Sequence, residues 1–163
     1  MNLSKSHSLI LLHFIIIIWG LTGILGKLIT MPSYLIVWNR MTIAFICLFI
    51  VNKFIVINES LKVKDYITYL SIGCLISIHW ICFFESIKLS TVSLALICLS
   101  TISLFTAILD PIINDNRVKL YELFLSIIVL IGIIIIHNYE TNFSKAIILS
   151  IISAFFGALF TIF

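Results

Sequence analysis

Long apolar runs separated by short polar stretches make up most of the chain. Each run extends about 20 residues, the length that an α-helix needs to cross the hydrocarbon core of a bilayer. The runs are continuously apolar, whereas the strands of a membrane barrel are shorter and alternate with polar residues. Helices also satisfy their own backbone hydrogen bonds in lipid. The pattern therefore predicts an all-α membrane protein with about five to six transmembrane helices.

The polar breaks set the bounds of six candidate spans. The clearest break is 52–64, which contains three lysines and Glu59. Pro111 is expected to end the fourth helix, with Asp110 anchored at the membrane interface. The predicted spans cover 8–28, 33–51, 66–87, 91–113, 120–136 and 143–163.

Composition supports lipid as the solvent of this chain. Hydrophobic residues make up 62% and charged residues 10% of the sequence, whereas soluble domains are about half apolar and a quarter charged. The net charge is only +3 and the basic residues are scattered, so we expect no nucleic-acid partner. The four cysteines lie within apolar runs without metal-ligand spacing, which favours a packing role. We expect no metal site and no cofactor.

The lysines and arginines of the loops predict the orientation, because cytoplasmic loops carry the excess of positive charge. Six lie in the N-terminal tail, the second loop and the fourth loop, against three on the opposite side. This bias places the N-terminus in the cytoplasm. The six are Lys5, Lys53, Lys62, Lys64, Arg117 and Lys119, and the three are Lys27, Lys88 and Lys145.

Five helices form an odd-numbered unit, so a second copy of the unit would be inverted in the membrane. Inverted repeats of this kind build many secondary transporters. We therefore divide the chain into a five-helix unit, 1–137, and the loop and first helix of a second unit, 138–163. No polar residue follows Phe163, and we expect that the second unit is truncated there.

Several short motifs resemble, in order and spacing, the EamA-like transporters of the drug/metabolite transporter superfamily. The resemblance covers about residues 8–137. Asp110-Pro111 stands where relatives commonly carry Glu-Pro. The other motifs are WGLTGILGK at 19–27, VWNRM at 37–41, HW at 79–80, FF at 83–84, IKLS at 87–90 and SLA at 93–95.

The resemblance implies a fold and a class of function. Relatives usually have ten helices in two inverted units, with both termini cytoplasmic, and we expect this chain to lack most of the second unit. Members export or exchange small metabolites. The resemblance thus implies a secondary active transporter in a bacterial cytoplasmic (inner) membrane, working by alternating access, with an unidentified substrate.

Arg40 is the most informative single residue. It lies about 7 residues into the second span, roughly 10 Å below the outer surface. A charge at that depth is costly and usually faces a cavity or a partner. One interpretation is a structural pair, or a side chain that reaches the outer headgroups. The other is a place on the substrate path, where Arg40 attracts a carboxylate.

Three residues of the third span are the other candidates for the substrate path. His79 is expected at nearly the depth of Arg40 and could carry a proton, although a hydrogen bond to a neighbouring helix is at least as common. Trp80 is a candidate stacking surface, with packing as the alternative. Glu85 could pair with Lys88 at i,i+3 on the surface or neutralise Arg40.

Two hypotheses of different classes follow. The leading one is the metabolite transporter, and the alternative is a truncated, non-transporting remnant or a half-unit that acts only as a homodimer or with a missing second half. No hydrolase motif is present in the sequence, so we expect no catalytic residue and no enzyme. The glycines at 20, 23 and 26 are expected to let helices approach closely.

Overall fold

A computed structural model of the chain describes residues 5–53, 62–139 and 141–163. These ranges are helical and contain no strand. A short 3₁₀ turn, Thr141–Phe143, precedes the last helix. The helices are α1 Lys5–Leu28, α2 Ser33–Asn52, α3 Val63–Leu89, α4 Val92–Leu99, α5 Ile102–Asn114, α6 Leu120–Tyr139 and α7 Ser144–Ile162.

Five helical stretches of the described residues are long and apolar enough to cross a membrane. They are α1, α2, α3, the combined stretch Val92–Asn114 and α7. The apolar part of α6, Leu120–Ile136, is shorter than these five. The prediction of an all-α membrane protein with five to six spans is confirmed. The centre of the predicted 52–64 loop, including Glu59, lies outside the described residues.

The fourth span was predicted as one helix and is interrupted at Ser100 and Thr101. The Ser100 hydroxyl donates to the Ile97 carbonyl at 2.5 Å, and the Thr101 hydroxyl donates to the Cys98 carbonyl at 2.8 Å. Hydroxyl side chains compete with the backbone for carbonyls in this way. The backbone amides of both residues also bond three residues back, which tightens the turn.

The end of α5 differs from the prediction that Pro111 stops the helix. Pro111 lies inside α5, which continues to Asn114. Asp115 then takes a left-handed conformation with φ 52°. The Asp110 carboxylate accepts hydrogen bonds from the side-chain amides of Asn114 at 2.8 Å and Asn116 at 2.9 Å. These bonds hold the last turn together past Pro111, so the prediction of termination before Pro111 is wrong.

The last helix, α7, is packed more completely than any other span, against α3, α4 and α5. Its contact face consists mainly of small residues. A Cβ on Gly157 would lie 2.6 Å from Ile102 Cδ1 and 2.9 Å from His79 Nδ1, so a larger residue there would force these side chains to shift. The buried residues of α7 are Ala146, Ile147, Ser150, Ser153, Ala154, Gly157 and Ala158.

The hairpin of α1 and α2 packs on α3 at one end only. Gly23, Gly26, Ile36 and Val37 are buried there, in a core with aromatic residues of α3. By contrast, every residue of 5–21 and of 38–53 is exposed at the surface of the chain. The hairpin is thus fixed to the bundle at the end where α1 stops and α2 begins.

Candidate functional site

Lys27 fastens the end of α1 to the end of α3. Its ammonium donates to the backbone carbonyls of Ile87 at 2.9 Å, Lys88 at 3.1 Å and Ser90 at 2.6 Å. These bonds use all three N–H groups of the ammonium. They also satisfy carbonyls at the C-terminus of α3, where a positive charge is favourable.

Two further contacts join the same elements. The Ser33 hydroxyl donates to Glu85 Oε2 at 2.6 Å, and the Lys88 ammonium donates to the Met31 carbonyl. We call this end of the bundle, with Lys27, Ser33, Glu85 and Lys88, the clasped end. Within the described ranges, Glu85 forms no ion pair with Arg40 or Lys88. Both sequence-based interpretations of Glu85 are therefore replaced by the Ser33 contact.

Arg40 lies over an aromatic surface of α3. Its Cζ atom is 4.1 Å from the centroid of the Trp80 ring and 5.3 Å from that of Phe84. The Trp80 and Phe84 rings are themselves stacked, with centroids 5.6 Å apart and planes at 25°. A cation over an aromatic face is attracted by the ring quadrupole. No described residue accepts a hydrogen bond from the guanidinium.

The guanidinium of Arg40 lies away from the clasped end. α2 and α3 are antiparallel, because Ser33 contacts Glu85 while Arg40 contacts Trp80. Ser33 and Arg40 are seven residues apart, or about 10 Å along the helix. A side chain directed toward the clasped end would lie level with Ser33. The guanidinium instead rests on Trp80, well below the clasped end.

His79 bridges α3 to α7. Its Nδ1 is 2.8 Å from the Ser153 carbonyl oxygen, and the Ser153 hydroxyl donates to the His79 carbonyl at 2.8 Å. Because a carbonyl only accepts, Nδ1 carries a proton and donates to it. The ring is 5% exposed and is packed among Trp80, Phe83 and Phe160. His79 therefore faces α7, whereas the neighbouring Trp80 faces Arg40 of α2.

Comparison with known protein families identifies the family of this chain. The model of the EamA-like transporter family matches residues 7–138, most of the chain. The chain belongs to the EamA-like transporter family. No curated protein and no solved structure gives a significant match. Family membership identifies a membrane transporter of the drug/metabolite type, and the clasped end and the Arg40–Trp80 contact both lie within the matched residues.

This EamA-family chain also contains a polar seam between α3 and α7 that the sequence did not reveal. The Ser86 hydroxyl donates to the Ala146 carbonyl at 2.7 Å and lies 2.7 Å from the Ser150 hydroxyl. The Ser150 hydroxyl also reaches the Ala95 carbonyl of α4 at 3.2 Å. The only sequence signal was the position of Ser86 seven residues after His79, which places both on one face of α3.

A second polar region lies at the turn between α5 and α6. It contains a partly open cavity of about 460 Å³, lined by side chains of both charges. The Glu122 carboxylate accepts a hydrogen bond from Lys119 at 3.1 Å and raises the pKa of Lys119. The pair is largely exposed, so its contribution to stability is small. The lining residues are Thr106, Ala107, Asp110, Pro111, Asn116, Arg117, Lys119 and Glu122.

Proposed function

We propose that this EamA-family chain moves small metabolites across the bacterial cytoplasmic membrane by secondary active transport with alternating access. The observation that carries the proposal is the asymmetry of the α1–α2 hairpin. Lys27, Ser33 and Lys88 bind it to α3 at the clasped end. Toward the other end, 5–21 and 38–53 have no buried residue.

Such an arrangement suits one state of an alternating-access cycle. A transporter in each state closes its path on one side of the membrane and opens it on the other. The charge bias of the loops places the N-terminus in the cytoplasm and the clasped end outside. On this assignment, the conformation described here is closed to the outside and faces inward.

We assign the substrate path to the surface of Arg40 and Trp80. Arg40 is exposed while resting on Trp80, so its charge is accessible from the open side of the hairpin. His79 supports Trp80 from behind and ties α3 to α7. Glu85 belongs to the closure at the clasped end through Ser33. Glu85 would then affect transport by controlling how the clasped end opens.

A second unit completes the path in this proposal. An arginine exposed at membrane depth is costly in contact with lipid and calls for a protein or water-filled surface opposite it. That surface is supplied either by a second unit, of which 138–163 is the opening segment, or by a second copy of the chain. Cross-linking of membranes containing only this chain separates the two: a cross-linked dimer that transports supports the second copy.

Efflux from proteoliposomes tests the proposal. Vesicles containing the full chain are loaded with an isotope-labelled extract of bacterial metabolites, and the compounds released are identified by mass spectrometry. We expect a small set of compounds to leave faster than from protein-free vesicles. If a folded chain, alone or paired, releases none of them faster, the transport proposal is wrong and the non-transporting remnant is the correct alternative.

A further inference from the structure

We infer that Arg40 binds the carboxylate of the transported solute, an inference that rests on the proposed transport function. Among the described residues, Arg40 is the ionised side chain furthest from both ends of its helix. It is seven residues from the start of α2 and twelve from its end. A charge so placed has neither a headgroup layer nor a helix terminus to stabilise it.

The charged groups of the clasped end have polar partners. Lys27 donates to three carbonyls, Glu85 accepts from Ser33, and Lys88 donates to Met31. Arg40 has an aromatic partner only, so its five N–H groups have no acceptor among the described residues. Arg40 thus lacks the hydrogen-bond partners that Lys27, Glu85 and Lys88 have. This difference indicates a ligand site at the guanidinium.

The position of the guanidinium selects the shape of the ligand. The Arg40 Cζ atom lies over the Trp80 ring, 4.1 Å from its centroid, and the N–H groups of a guanidinium point outward in its plane. A planar anion with two oxygens matches that edge with two parallel hydrogen bonds, which is the geometry of an arginine–carboxylate pair. The aromatic contact also holds the guanidinium in place before the solute arrives.

The transport cycle itself favours an anionic group. When both ends of the path are closed, an unpaired guanidinium would be enclosed away from water, which is strongly unfavourable. Glu85, the acidic residue nearest in sequence to the aromatic surface, is already bonded to Ser33. A bound carboxylate neutralises Arg40 and removes this obstacle to closure. Neutral and cationic solutes do not neutralise Arg40.

Trp80 provides the reporter for a binding test that does not depend on transport. Trp19 and Trp38 are both 71% exposed, so a Trp19→Phe/Trp38→Phe chain retains Trp80 as its one tryptophan. In nanodiscs, the Trp80 emission is titrated with benzoate and hexanoate, and with benzamide and hexanamide as uncharged controls. Empty nanodiscs correct for partition into lipid.

We expect a saturable change in Trp80 emission with the two carboxylates and none with the amides. Arg40→Gln should abolish the change, and Arg40→Lys, which keeps the charge but loses the planar fork, should weaken binding roughly tenfold. Equal responses to acids and amides, or an unchanged response in Arg40→Gln, would overturn the inference. Efflux that is confined to solutes without a carboxylate would overturn it as well while leaving the transport function intact. Carboxylate binding without any efflux would refute transport alone.

Discussion

Gly26 of α1 lies directly against the ring of Phe84 of α3. A Cβ on Gly26 would lie 2.5 Å from Phe84 Cδ1, closer than packed atoms allow. Phe84 in turn stacks on Trp80, and the guanidinium of Arg40 lies over the Trp80 ring. A continuous series of contacts through two rings of α3 therefore connects Gly26 of α1 to the guanidinium of α2.

Adding a side chain at Gly26 should disturb both stability and transport. In Gly26→Ala the Phe84 ring must move, and overpacking of this kind costs about 1–3 kcal/mol. We expect a lower melting temperature in detergent and slower efflux. Gly20→Ala is the matched control, because no atom lies within 4 Å of a Cβ at that position. Equal melting temperatures for the two variants would show that Gly26 does not set the α1–α3 distance.

The His79 bridge should be worth a measurable part of the α3–α7 contact. His79→Phe removes the bond to the Ser153 carbonyl, and interhelical hydrogen bonds in membranes contribute roughly 0.6–1.7 kcal/mol. We expect a lower melting temperature with retained efflux at permissive temperature. Ser71→Ala serves as control, since the Ser71 hydroxyl bonds only within its own helix. Loss of proton-driven efflux at unchanged stability would instead assign a proton-carrying role to His79.

Lys27 should govern the closure of the clasped end. Lys27→Met retains an unbranched side chain of nearly the same length but removes all three hydrogen bonds to α3. We expect the distance between spin labels at Thr30 and Ser93, both exposed, to lengthen or broaden in this variant. Lys145→Met removes a charge from the start of α7, which is fixed at the same end through Ala146, and should leave the distribution unchanged. Identical distributions for all three proteins would exclude Lys27 as the closing residue.

The sequence predicted the helical class well, because membrane helices are specified by long apolar runs that need no partner. The similar depth of Arg40 and His79 in the membrane stays a prediction, and both side chains contact Trp80. The sequence did not predict that His79 faces α7, because the small residues of α7 do not specify which helix they approach. The break at Ser100 depends on hydroxyl-to-carbonyl bonds that compete with an otherwise favourable helix.

The clasp was missed for a related reason. In the sequence, Lys27 is one more positive charge at the end of a helix. It was used only to predict the orientation of the chain in the membrane. Its acceptors are backbone carbonyls of Ile87, Lys88 and Ser90, and every residue type has a carbonyl. Contacts of a side chain with distant backbone therefore leave no trace in a single sequence.

Quenching of Trp80 fluorescence from each side of the membrane tests the central claim most directly. The Trp19→Phe/Trp38→Phe chain is reconstituted in one orientation, and iodide is supplied either outside the vesicles or trapped within them. If the path is open opposite the clasped end, iodide should quench Trp80 from that side only, and Lys27→Met should allow quenching from both sides. Equal quenching from both sides in the chain with Lys27 intact would contradict a path closed at the clasped end. No quenching from either side would contradict a path open at the opposite end.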